Sequence, residues 1–268
     1  MSKITDFFNR FNKKFEITPA TYMNSQGELQ YRYEDIIGYM RQTGELQVFM
    51  QEYNKIMKEQ DKYYPSKVHG LEHTSRVTLF ATMLAALDNL SEYDKELLLV
   101  AARYHDVGRR DDRENKEHGA WGVQKSKGLD LLQGYSDEAK QIIEFAIEQH
   151  SLSREQNEVA LSKIPEIKRE RYRLILSYLK DADALDRVRI ANRNMQLDPK
   201  RLRSKTAKMM VDLAYTNYRE FNNLVTSNIL NPVEVKQTSK VNKVPFRERF
   251  LSRFSEQILC VDCPPPLC

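Results

Sequence analysis

This chain of 268 residues holds five histidines, and all of them fall between His69 and His150. His105 and Asp106 stand side by side in the string Ala-Arg-Tyr-His105-Asp106-Val-Gly108. His73 lies upstream of that pair, and His118, His150 and Asp183 lie downstream. Imidazole nitrogen combined with carboxylate oxygen suits divalent manganese, iron or zinc better than calcium or magnesium. Such a cluster, holding one or two ions, turns a bound water into hydroxide at neutral pH.

Helical spacing says which elements must carry these groups. His73 lies four residues before Val77, His105 four after Ala101, His150 four after Ala146, and Asp183 four after Leu179. Residues three, four or seven apart share one helix face. Four helices therefore each aim one ionisable side chain inward at or near the end of an apolar stripe, and a metal offsets the cost of burying them. His118 follows Asp111, Asp112 and Glu114 on a loop and is the weaker candidate, a ligand for a second ion. His69, before Gly70, is expected to contact substrate or to support a ligand. Asp183 could instead pair with Arg187 four residues on, although Asp181 and Asp186, expected off the Leu176/Leu179 face, are better candidates for such intrahelical pairing. Arg76, Arg109, Arg110, Lys180 and Arg187 sit within about a turn of the ligands, where they could hold phosphate oxygens or serve structural ion pairs.

The intervening elements read as helices. Residues 1–60 suggest short amphipathic helices, with Ile37, Met40, Leu46, Phe49, Met50, Tyr53 and Met57 at helical spacing. Val77, Phe80, Ala81, Leu84 and Leu87 form one stripe on a helix over 71–90. Ser91 caps the next helix, which ends near Gly108. A polar loop then leads to a short helix through Trp121, and Ser136 caps a helix that stops at His150. The stretch 151–165 reads as loop. A long helix follows from Ile167 towards Arg193, and 202–224 is amphipathic again. Phe246, Phe250 and Phe254 suggest one last helix.

Composition bounds the rest. With 41% hydrophobic and 30% charged residues and only nine glycines and nine prolines, the chain reads as an all-α globular protein. A net charge of +4 argues against nucleic acid, although local basic density in 168–173, 187–208 and 236–253 could face an anionic substrate. No run is long enough to span a membrane, and the N-terminus lacks a signal-peptide pattern. Cys260, Cys263 and Cys268 sit in a Pro-rich tail, so a reducing, cytoplasmic setting is expected. The expected organisation is an N-terminal helical extension (1–62), a metal-binding domain (63–228) and a basic, irregular tail (229–268).

The strings Val68-His69-Gly70-Leu71-Glu72-His73-Thr74-Ser75-Arg76-Val77, Tyr104-His105-Asp106-Val107-Gly108-Arg109, His118-Gly119, Gln149-His150-Ser151 and Lys180-Asp181-Ala182-Asp183 through Arg187-Val188 resemble the HD-domain superfamily of metal-dependent phosphohydrolases. The resemblance covers roughly residues 65 to 200. It implies a helical bundle around a central metal site, with His73, His105, Asp106 and Asp183 as core ligands. Relatives with two metals add histidines at the places of His118 and His150, and Asp106 would then bridge the ions, as in the cyclic-nucleotide and cyclic-dinucleotide phosphodiesterases of the superfamily. The His69-Gly-x-x-His73-Thr-x-Arg76 string is similar, more distantly, to phosphodiesterase domains of SidE-type bacterial effectors, which act on modified ubiquitin. The Gly-Tyr-Pro motif of cyclic-di-GMP enzymes is absent. The expectation is a phosphodiesterase acting on a phosphorylated small molecule or nucleotide. Asp106, Arg109 and Lys180 would be its catalytic residues, and His69, Arg76, Arg110 and Arg187 its substrate contacts. A di-iron oxygenase on the same ligands and a non-catalytic metal-stabilised binding protein, with a protein partner, are the alternatives.

Overall fold

In the computed structural model, residues 18–190 and 197–230 are described. A three-residue hairpin opens this part of the chain: β1 (Thr21–Met23) pairs antiparallel with β2 (Leu29–Tyr31). This corrects the expectation of helix alone over residues 1–60. Asn24 and Gly27 make the turn, Gly27 at φ 76°, a left-handed conformation natural to glycine. This pair is the only sheet among the described residues, and the rest is the expected all-α architecture.

Helices α1 (Tyr33–Thr43) and α2 (Glu45–Lys58) follow, joined through Gly44 in the left-handed region. They bury Ile36, Ile37, Met40, Leu46, Phe49 and Ile56. Helix α3 (Leu71–Leu87) is the axis of the bundle and packs against α2, against α4 (Glu92–Tyr104) and against α8 (Glu166–Leu185). The single apolar stripe expected for α3 is in fact burial on every side, unbroken from His73 to Ala86. Two of its threonines help to permit this. Thr78 Oγ1 donates to the Thr74 carbonyl and Thr82 Oγ1 to that of Thr78, so these hydroxyls need no water. Asn89 at φ 50° ends the helix, and the Leu90 amide returns to the Ala85 carbonyl.

Ser91 caps α4 through the Asp94 amide, and Ser136 caps α6 (Asp137–Gln149) through Ala139, both as the sequence implies. Between them lies α5 (His118–Gly128), packed on α6. The stretch 151–165 is not all loop: α7 (Arg154–Ser162) occupies most of it, started by a reciprocal Ser153/Gln156 capping box. The helix expected to reach Arg193 stops at Leu185 and tightens into a 3₁₀ turn, Asp186–Arg189. A second 3₁₀ turn (Pro199–Arg201) and the single-turn α9 (Lys205–Lys208) precede α10 (Val211–Leu230), which packs on Asp186–Arg189 and β2. Among the described residues no helix is long and apolar enough to cross a membrane. The helix expected over 246–254 and the three cysteines lie outside the described residues.

Candidate metal centre

The ends of the central helices carry the site. His105 and His150 each occupy the residue just after a helix, α4 and α6. The last carbonyls of a helix lack intrahelical partners. His105 Nδ1 donates to one of them, Ala102 O, at 2.7 Å, and His150 Nδ1 to Ile147 O at 2.6 Å. His118, at the start of α5, uses the same three-residue step to the Asn115 carbonyl. His73, on α3, donates from Nδ1 to Asp186 Oδ2 at 2.8 Å. Carbonyl and carboxylate oxygens only accept, so in all four rings the proton sits on Nδ1 and Nε2 presents a lone pair.

These lone pairs converge. His73 Nε2 and His105 Nε2 are 3.1 Å apart, and His118 Nε2 and His150 Nε2 are 2.9 Å apart. Two acceptors facing each other at such distances repel, and a shared cation removes the repulsion. Asp106 stands between the two pairs. Its Oδ2 is 3.4 Å from His73 Nε2 and 3.8 Å from His105 Nε2, while its Oδ1 is 3.2 Å from His118 Nε2 and 3.5 Å from His150 Nε2. Asp183 Oδ1 approaches His73 Nε2 at 3.4 Å. The donor set fits two ions of the borderline class. His73, His105, Asp183 and Asp106 Oδ2 would hold one, and His118, His150 and Asp106 Oδ1 the other.

Electrostatics keep the groups in ligand form. Burial, opposed by Asp106 and assisted by His73 and His150, pushes His105 down to about 3, so its ring is neutral. Burial alone would raise Asp106, but the imidazoles of His105, His118, His150 and His69 outweigh it and hold the carboxylate well below its usual range. For Asp183 burial is likewise outweighed, by His73 and His105.

Backbone contact brings the second pair of histidines to the first. A Cβ on Gly108 would collide with the Gly122 amide nitrogen and lie 2.5 Å from the His118 carbonyl. A Cβ on Gly119 would lie 2.5 Å from Glu148 O and 2.6 Å from Ile147 O. Gly108 thus serves close packing of the 105–108 turn on α5, not the helix ending expected of it. Gly108→Ala is expected to cost about 1–3 kcal/mol by overpacking and to displace His118. Thermal denaturation and bound-metal content check this; an unchanged melting temperature would show that the contact gives way freely.

The remaining candidates divide. His69 Nδ1 lies 3.1 Å from Asp106 Oδ2 and 3.3 Å from Arg189 NH2. The nearer partner, a carboxylate, only accepts, which calls for a proton on Nδ1; His69, His73 and Asp106 also form a further group able to hold an ion. Arg109 lines the cavity and rests Nε on Asp106 Oδ1 at 3.3 Å. Lys180 also lines the cavity, but its ammonium donates to the carbonyls of Gln149, His150 and Leu152 at 3.4, 2.9 and 2.5 Å. These bonds hold the ammonium at the end of α6 beside His150, on the cavity wall. Arg187 lines the cavity and makes no ion pair with Asp183.

Two expected substrate contacts are not brought to the cavity. Arg76 is buried, gripping Asp186 through Nε at 2.6 Å and NH2 at 3.2 Å, with the Tyr218 ring 5.0 Å away. Arg110 stacks on Trp121 at 4.2 Å. Conversely, Asp186 is no surface residue: it is fully buried between His73 and Arg76. Asp181 is buried too and accepts the Arg203 and Ser204 amides, both at 2.8 Å. Arg189, unremarked in the sequence, ties Val68 O, Asp186 O and His69 together.

The ligand cluster opens on a cavity of about 820 Å³, lined by α7, α8, the 109–118 segment and residues 200–208. Comparison with known proteins gives one match. Residues 70–189 match a family model described as HD domain, a span holding His73, His105, Asp106, His118, His150 and Asp183. No curated protein matches the chain significantly, and no solved structure does. HD domains are typically metal-dependent hydrolases, and the match over residues 70–189 supports HD-domain superfamily membership.

Proposed function

We propose that the chain is a metal-dependent phosphohydrolase that cleaves a phosphodiester, using two ions. One observation carries this reading: the two oxygens of the single carboxylate Asp106 face two separate pairs of imidazole lone pairs. When bound, two such ions supply a hydroxide and an electrophilic clamp on the phosphoryl oxygens. The chain's own groups do the rest. The Nδ1 bonds of His73, His105, His118 and His150 fix the rings before substrate arrives, so little reorganisation accompanies reaction. Arg109, next to Asp106, and Arg187 are placed along the wall to receive phosphoryl oxygens as charge builds there. His69 lines the cavity beside Asp106 and is available to contact a substrate oxygen. No nucleophilic side chain is required.

The test joins metal content to turnover. Protein purified without chelator or metal-affinity steps is expected to hold about two transition-metal ions per chain and to hydrolyse bis(4-nitrophenyl) phosphate. Oxygen uptake without phosphoester cleavage would replace this reading with an oxygenase. Bound metal with neither activity would leave a metal-stabilised binding protein.

A further inference from the structure

The cavity is longer than one phosphoryl group needs. Along α8, Arg173, Leu176, Lys180 and Asp183 all line it, at spacings of three and four. From Arg173 to Asp183 the helix rises about 15 Å. The facing wall comes from residues 200–208, outside the matched HD span. Asp181 pins this wall beside the centre, because its carboxylate takes the Arg203 and Ser204 amides two residues before the ligand Asp183.

The character of the lining is specific. Eleven of its residues are Lys or Arg and four are Asp or Glu, against a whole-chain surplus of only +4. Two of those four acids, Asp106 and Asp183, belong to the metal centre, and a third, Glu158, is already paired with Arg173 at 2.9 Å. Arg187, Lys200 and Arg201 form no ion pair with any described residue. Arg203 pairs with Asp181 at 3.5 Å and donates to the Arg201 carbonyl at 3.1 Å, both through NH1. The lining includes no Phe, Tyr or Trp, so it offers no aromatic ring on which a base would stack. Guanidinium groups with N–H donors to spare, and no aromatic platform, suit phosphate oxygens, which Arg binds in bidentate fashion.

We infer that Arg201 and Arg203 form a second anion subsite, so that the preferred substrate carries a phosphate or pyrophosphate group besides the diester that is cleaved. This rests on the phosphohydrolase reading above. It explains why net positive charge concentrates in this one cavity, and why a segment beyond the HD match is fastened to the ligand-bearing helix.

Two 4-nitrophenyl diesters of thymidine 5′-phosphate, one with a free 3′-hydroxyl and one with a 3′-phosphate, differ only in the second anion. The metal-loaded chain is expected to prefer the 3′-phosphorylated probe by at least about tenfold in kcat/KM, expressed mainly in KM. The double variant Arg201→Ala/Arg203→Ala is expected to use the two probes equally. Equal use by the unaltered chain, or a preference that survives in the double variant, overturns the inference. If neither probe is cleaved, the hydrolase reading has failed, and calorimetric titration of inorganic pyrophosphate into the chelator-stripped chain decides the subsite by itself. Binding weakened about tenfold or more in the double variant supports it. Binding that is absent, or indifferent to the substitutions, overturns it.

Discussion

Replacing Asp106 with asparagine is expected to empty both halves of the metal centre and to lower phosphodiester hydrolysis at least about a thousandfold, some 4 kcal/mol of transition-state stabilisation. Each Asp106 oxygen faces a different histidine pair, so losing one charge weakens two sites together. Asparagine keeps the shape and one carbonyl oxygen, but its amide end would aim N–H at one of the imidazole pairs, where a cation should sit. The comparison variant is His118→Gln. It removes a ligand of the second set only and leaves His73, His105 and Asp183 as they are. It is expected to lower the metal content by about one ion per chain, with a smaller loss of rate. Circular dichroism should show both variants helical, since neither substitution touches the packing of α3. An Asp106→Asn protein that keeps both ions and more than about a tenth of the rate would refute the bridging role.

How much of this centre was legible beforehand follows from how each residue is positioned. His73, His105, His150 and Asp183 end or extend apolar stripes, so helical period alone aims them inward. Asp186 obeys the same rule, three residues after Asp183 and seven after Leu179, so it shares the Leu179 face and the expectation that it lies off that face does not hold. Arg189 escapes because the chain tightens there. In a 3₁₀ turn, residues three apart eclipse, which places Arg189 over Asp186. Helix α7 is short and mostly polar, although Ser153 and Gln156 announce its start. The hairpin strands are only three residues each, too short for alternation to register. The role of Gly108 depends on a backbone approach from Gly122, and the cavity wall at 200–208 on a bond back to Asp181. Those are tertiary contacts between distant segments, and no local pattern encodes them.

Asp186 carries the second large effect, and it can be divided between stability and metal binding. The carboxylate is fully buried and divides its oxygens between His73 Nδ1 and the Arg76 guanidinium. Asp186→Ala leaves Arg76, itself only 2% exposed, a charge inside the bundle whose one remaining carboxylate partner is the exposed Glu72, 3.4 Å from NH1. The expected cost is about 3–5 kcal/mol, read from denaturant midpoints. The same change frees His73 Nδ1, so the ring can rotate or take the other tautomer, and metal affinity is expected to fall roughly 10–100-fold. The two effects come from different partners and should separate. Adding Arg76→Met removes the stranded charge while keeping an unbranched apolar stem beneath Tyr218 and Phe221. The double variant Asp186→Ala/Arg76→Met is expected to regain most of the stability and none of the metal affinity, because His73 still lacks its acceptor. Recovery of both would mean that Asp186 acts on the centre only by holding the fold. Recovery of neither would mean that Arg76 contributes to the bundle through more than its pairing with Asp186.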